Sequence, residues 1–158
     1  MNTTDHITLS LPTEADTKAF GAKLALCLEK PLFIGFCGQI GAGKTTLIRA
    51  MLQSAGVVSA IKSPTFSLVE TYDMNDYTIH HFDLYRIHDA DELEHIGMRD
   101  YFSSDNICCI EWPEHGEALM RHLDVIISLS TSDQGRMLEM KAIRPAGLRL
   151  LTCLDANL

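Results

Sequence analysis

Lys44 and Thr45 close the run Gly38-Gln39-Ile40-Gly41-Ala42-Gly43-Lys44-Thr45-Thr46, which fits the pattern GxxxxGK[ST] at every fixed position. The chemistry of such a run is phosphate binding. Phosphate oxygens need several donors converging on a tight curve, and glycines permit a backbone path along which successive N–H groups point inward. Gly41, Ala42, Gly43 and Thr46 supply the cradle, Lys44 a movable positive charge, and Thr45 a hydroxyl for Mg²⁺. Transfer of a phosphoryl group further requires Mg²⁺ held across the phosphates and a water or acceptor placed in line, so carboxylates are expected nearby. Asp83 and Glu111 each follow an apolar, strand-like run. In open α/β sheets ligands gather beyond the carboxyl ends of the strands, which makes these two acids the candidates. Glu111 is assigned either to Mg²⁺, through a water, or to the attacking water; Asp83 is the second acid.

Other residues qualify by position. Pro64 fixes its own φ and pushes Ser63 into an extended shape, so Thr65 stands on a defined elbow and has the character of a nucleotide-responsive switch. Trp112, the one tryptophan, follows Glu111 and either covers the site or joins the core. Leu11 to Thr17 precede the strand leading to the loop, so Leu11 and Thr13 are candidates to lie over a base, with Thr13 as a plain helix cap the competing reading. His80 and His81 are adjacent on a strand and face opposite ways, which excludes a shared metal site.

The elements that must position these residues follow from periodicity. Leu32 to Cys37 is a buried-type strand entering the loop, and Leu47, Ile48, Met51 and Leu52 recur at helical spacing after it, until Gly56 stops the pattern. His6 to Leu11 alternates as a strand, and Thr13 with Asp16 opens a helix with Phe20, Leu24, Cys27 and Leu28 on one stripe. Phe66 to Tyr72 and Tyr77 to Phe82 read as a hairpin about Asp73-Met74-Asn75-Asp76. Asp89 caps a helix that breaks at Gly97. Ile107-Cys108-Cys109-Ile110 lacks polar alternation, as expected of a central strand covered on both faces. Glu117 to Leu123 is helical, and Val125 to Leu129 turns at Asp133-Gln134-Gly135 into a partner strand over Met137 to Ile143. Residues 144–158, rich in leucine, either close the core or form an exposed docking segment.

The chain of 158 residues fits a single domain, and its 46% hydrophobic share is enough for one core. A net charge of −8 argues against free-standing nucleic-acid binding, which draws on clustered Lys and Arg. The five cysteines, at 27, 37, 108, 109 and 153, show no CxxC pair or zinc spacing and are expected to be buried thiols in a reducing compartment. No apolar run approaches bilayer length, so no membrane partner and a cytoplasmic location are expected.

Gly41 to Thr46, Ser63-Pro64-Thr65-Phe66, His81-Phe82-Asp83-Leu84-Tyr85-Arg86 and Glu111-Trp112 occur in the order seen in the bacterial TsaE (formerly YjeE) ATPases, which the chain resembles over nearly its whole length to Ile143. The resemblance implies a P-loop NTPase-like, three-layer α/β fold whose parallel central sheet is extended by antiparallel strands. It implies ATP and Mg²⁺ as cofactors and a weak ATPase stimulated by TsaB and TsaD during formation of threonylcarbamoyladenosine in tRNA, with tRNA met only through that complex. By that resemblance Lys44 serves phosphate, Thr45 and Glu111 serve Mg²⁺, Thr65 is a switch, and Asp83 and Glu111 are the acids beside Trp112. Gln39-Ile40 departs from the family's usual acidic residue and leucine, at positions whose side chains the loop does not use. A small-metabolite kinase and a nucleotide-gated, non-catalytic subunit are the rival readings; the first wants an arginine-rich lid, where only isolated arginines such as Arg99 and Arg121 stand. A regulatory GTPase fails on the absence of an Asn-Lys-x-Asp sequence.

Overall fold

Ile107, Cys108, Cys109 and Ile110 are fully buried in β5 (Asn106–Glu111), the strand whose unbroken apolar run places it inside the sheet. The computed structural model describes residues 4–158. The other strands are β1 (His6–Leu11), β2 (Leu32–Cys37), β3 (Val69–Asp73), β4 (Thr78–Asp83), β6 (Val125–Ser132) and β7 (Gly135–Ala142), and the helices are α1 (Glu14–Leu26), α2 (Lys44–Ala55), α3 (Ala90–His95) and α4 (Pro145–Asn157). The sheet runs β1-β7-β6-β2-β5-β4-β3. Neighbours among β6, β2, β5 and β4 are parallel, whereas β7 and β1 extend one side and β3 the other in antiparallel fashion. The mixed sheet is therefore the one expected.

Helices α1, α2 and α4 cover one face. Phe20, Leu24, Leu47, Ile48, Met51, Leu150, Leu151 and Leu154 join Ile34, Phe36 and Ile107 in the larger core. Each side chain of this size contributes about 1.5–3 kcal/mol on burial. Phe82, Leu84, Cys108, Ile110 and Leu119 form a second core on the opposite face, beneath α3 and short 3-10 turns. Three layers result. Residues 144–158 are an integral helix of the larger core, which decides between the two expectations for the tail.

Two expectations are corrected. The strand expected from Phe66 starts at Val69, because Leu68 adopts φ 69° and its N–H bonds back to the Pro64 carbonyl at 2.9 Å, making residues 64–68 a turn. Glu117–His122 is helical as expected, in the 3-10 form. Cys27 and Cys153 are joined in a disulfide that ties the end of α1 to α4, so only Cys37, Cys108 and Cys109 are free thiols. Packing of α4 beside α1, far apart in sequence, creates that juxtaposition. No helix among the described residues is long and apolar enough to cross a membrane.

Candidate functional site

Strand β2 delivers the chain to Gly38, where φ is +145° and a Cβ would stand 2.4 Å from the Leu129 carbonyl oxygen, so no side chain fits between the loop and β6. The loop ends at Gly43, with φ +104°, as the N-cap of α2. No side chain caps this helix, whereas α1 carries a complete capping box. The first amide groups of α2 thus keep their donors, and the positive end of its dipole faces the loop. Lys44 is buried, and its ammonium bonds to the carbonyls of Gly38 and Gln39 and lies 4.1 Å from the centroid of the Trp112 ring. Burial holds its pKa below the ordinary lysine value, an effect opposed by the nearby carboxylates of Glu111, Glu114 and Asp83.

Thr45 Oγ1 donates to Glu111 Oε1 at 2.9 Å and lies 3.2 Å from Oε2. Glu111 closes β5, is 3% exposed, and pairs in register with Asp83 at the end of β4. Because parallel neighbours in register present the same face, both acids stand beside the start of α2. Asp83 Oδ1 accepts the Tyr85 N–H at 3.1 Å. Burial raises the Asp83 pKa, the Tyr85 bond opposes that rise, and the Glu111 charge adds to it. Behind Glu111, His81 Nε2 approaches Oε2 at 2.7 Å. Trp112 takes a left-handed φ of 58°, its N–H bonds to the Phe36 carbonyl at 3.2 Å, and its ring packs on Tyr85 and His115. A non-glycine residue pays about 1–2 kcal/mol for that conformation, and here it sets the indole beside Lys44.

The other candidates are more distant in their contacts. Thr65 Oγ1 pairs with Ser63 Oγ at 2.7 Å, not with Thr45 or either acid. The Thr13 hydroxyl accepts the Asp16 N–H and donates to the Asp16 carboxylate, so it serves α1 as a cap. Leu11 is buried and pairs across the sheet with Arg136. Cys37, just before the loop, donates its thiol to Glu114 Oε2 at 3.2 Å, and burial followed by that bond pushes its pKa up to about 12.

Arg136 is the residue that sequence reasoning missed. It is the second residue of β7, yet a Cβ on Gly43 would stand 2.9 Å from its Nε. That Nε is buried without a hydrogen-bond partner among the described residues. A guanidinium against the loop, with an unspent donor, suits a phosphate or another anion. Only the β6–β7 hairpin, closed by Asp133-Gln134 with Gly135 at φ +107°, brings it there.

These residues fit Mg²⁺ and a nucleoside phosphate. The loop has free amide donors and two cations, Thr45 and Glu111 are oxygen ligands of the type a hard cation takes, and Asp83 adds a second carboxylate.

The fold and site together define a mixed α/β protein with a glycine-rich strand–loop–helix at the centre of a single sheet. The family described as "Threonylcarbamoyl adenosine biosynthesis protein TsaE" matches residues 11–138. The chain is 40% identical over 153 residues to the tRNA threonylcarbamoyladenosine biosynthesis protein TsaE of Haemophilus influenzae, covering 94% of this chain and 97% of that one. The protein of the same name from Bacillus subtilis is 31% identical over 122 residues, 75% of each chain. The crystal structure of Bacillus subtilis YdiB superposes with a TM-score of 0.77 at 22% identity, covering 99% of both chains, and supports the fold. The chain belongs to the TsaE family.

Proposed function

We propose that this protein is a Mg²⁺-dependent ATP hydrolase that acts with TsaB and TsaD in forming threonylcarbamoyladenosine in tRNA, its ATP cycle reorganising or resetting that complex. The observation that carries the proposal is the Thr45–Glu111 bond at the uncapped start of α2, beneath a loop whose lysine is buried beside it. The role in tRNA modification rests on the names of the relatives.

Lys44, now on the loop carbonyls, would hold a phosphate oxygen, and Arg136 would add a second cation beside Gly43. Thr45 offers its hydroxyl oxygen to Mg²⁺, and Glu111 holds the ion's shell or orients water. Mg²⁺, when bound, neutralises phosphate charge. Asp83 faces the same space, and its raised pKa suits a group that shares a proton with water. Trp112 keeps the lysine on its line.

The test is phosphate release by the purified protein, alone and then with TsaB, TsaD and tRNA, with tRNA modification followed in the same mixture. Strong stimulation, and loss of both signals in Lys44→Ala, is expected. Tight ATP binding without turnover or modification in the full mixture would refute the proposal in favour of a nucleotide-gated subunit, and phosphorylation of a small acceptor would favour a kinase.

A further inference from the structure

Residue 81 is a histidine where an apolar side chain would cost less. It lies on β4 two residues before Asp83, and so on the same face, with Ile79 and Cys109 of the larger core as neighbours along the strand and across it. His81 is 1% exposed, and its Nδ1 has no hydrogen-bond partner among the described residues. Burying an unpaired ring nitrogen is unfavourable. His80, on the opposite face, avoids this by pairing its Nδ1 with Thr71 Oγ1 at 2.9 Å. The single return for a histidine at 81, among the described residues, is the 2.7 Å contact of its Nε2 with Glu111 Oε2, between side chains 2% and 3% exposed.

A carboxylate only accepts, so the contact requires a proton on Nε2. Glu111 is then held by two donors from different elements: the Thr45 hydroxyl from α2 and His81 from β4. The two are not equivalent. Thr45 would offer a lone pair of that oxygen to a cation while its O–H stays on Glu111, so its position answers to the ion as well, whereas His81 serves the carboxylate alone.

On the Mg²⁺–nucleotide reading proposed above, we infer that His81 is a positioning residue, which aims Glu111 at the metal through an Nε2–H···Oε2 bond and touches neither nucleotide nor ion. Removing such a supporting donor typically lowers metal affinity by about 10–100-fold.

The test compares wild type, His81→Leu and His81→Gln for the affinity of Mn²⁺ for the protein–ADP complex, read from the paramagnetic signal of free Mn²⁺. ADP affinity without metal and the thermal midpoint are measured alongside. His81→Leu is expected to keep wild-type ADP affinity, to unfold at a lower midpoint because buried Glu111 loses a donor, and to bind Mn²⁺ about 10–100-fold more weakly. In His81→Gln, whose amide nitrogen reaches about as far as the ring Nε2, most of the affinity returns. Wild-type Mn²⁺ affinity in His81→Leu, or equal loss in both variants, overturns the inference, the second outcome pointing to ring packing alone. Failure of wild type to bind Mn²⁺ and ADP would instead defeat the nucleotide reading and the His81 role with it. The ring itself supplies a check independent of how the variants fold: long-range ¹H–¹⁵N spectra of wild type should show a proton on Nε2, and its absence overturns the inference.

Discussion

Replacing Glu111 in two ways separates its structural work from its chemical work. Glu111→Ala strands the buried Nε2 of His81, frees the Thr45 hydroxyl and leaves a small cavity. An orphaned buried donor costs about 1–3 kcal/mol and the remaining losses about 1 kcal/mol, for a total near 3 kcal/mol. Glu111→Gln keeps the shape, with an amide oxygen toward His81 and an amide nitrogen toward Thr45. Its two bonds become neutral, each weaker by about 1 kcal/mol, while removal of a buried charge regains a similar amount, so the net change is within about 1 kcal/mol. The two variants therefore diverge in stability and converge in function. Urea unfolding measures the first. Phosphate release at saturating ATP with the stimulating partners measures the second, where both variants are expected to fall by at least about 100-fold, or roughly 2.7 kcal/mol of transition-state stabilisation. Release by a folded Glu111→Gln within twofold of wild type would show that the carboxylate charge is not needed there and would move the role to Asp83.

Arg136→Ala removes a guanidinium whose Nε has no partner among the described residues, so stability is expected to change little while calorimetric affinity for ADP falls about tenfold, the worth of one charge-assisted bond. Arg136→Lys should restore little, since a point charge does not replace the planar fork. Asp83→Asn preserves the acceptor for the Tyr85 N–H and removes a carboxylate whose folded pKa is raised by burial. A raised acid binds more protons in the folded state, so wild type loses stability as pH rises from the ordinary carboxylate range through the folded pKa. The Asn variant should therefore be the more stable at pH 7, with the difference vanishing toward pH 4 in thermal unfolding; an unchanged gap would refute the shift. Gly147→Ala would drive a Cβ to 1.9 Å from the Asp124 carbonyl oxygen at the start of α4, and a loss of about 3 kcal/mol in denaturant unfolding is expected.

The loop, β5 and the two acids were legible because each is written locally: three glycines and Lys-Thr within nine residues, or an apolar run that ends in one carboxylate. Periodicity placed His80 and His81 on opposite faces, and the structure agrees, but depth along the sheet decides that His81 meets Glu111, and no local pattern encodes depth. Arg136 escaped notice because its neighbour Gly43 is a contact of the sheet's far flank, made by a hairpin whose return path a single sequence does not specify. Leu68 was misread for another reason. Its side chain fits the alternation of a strand, while its left-handed backbone is imposed by the Pro64 turn and the bond from the Asp83 N–H to its carbonyl. The Cys27–Cys153 pair needed α4 as a folded helix, and its leucines alone did not distinguish helix from strand.

That disulfide joins positions 126 apart, and the chain from Gly38 to Arg136 lies wholly between them. Covalently, the candidate site is part of a ring. A single peptide cut within the ring, at the exposed Val58 or Phe66 between α2 and β3 for instance, opens the circle without releasing a fragment. Nicked protein would run as one molecule on non-reducing electrophoresis and separate into two pieces only after a thiol is added. Proteolytic damage to the loop-bearing half is then hidden from electrophoresis that omits a reductant.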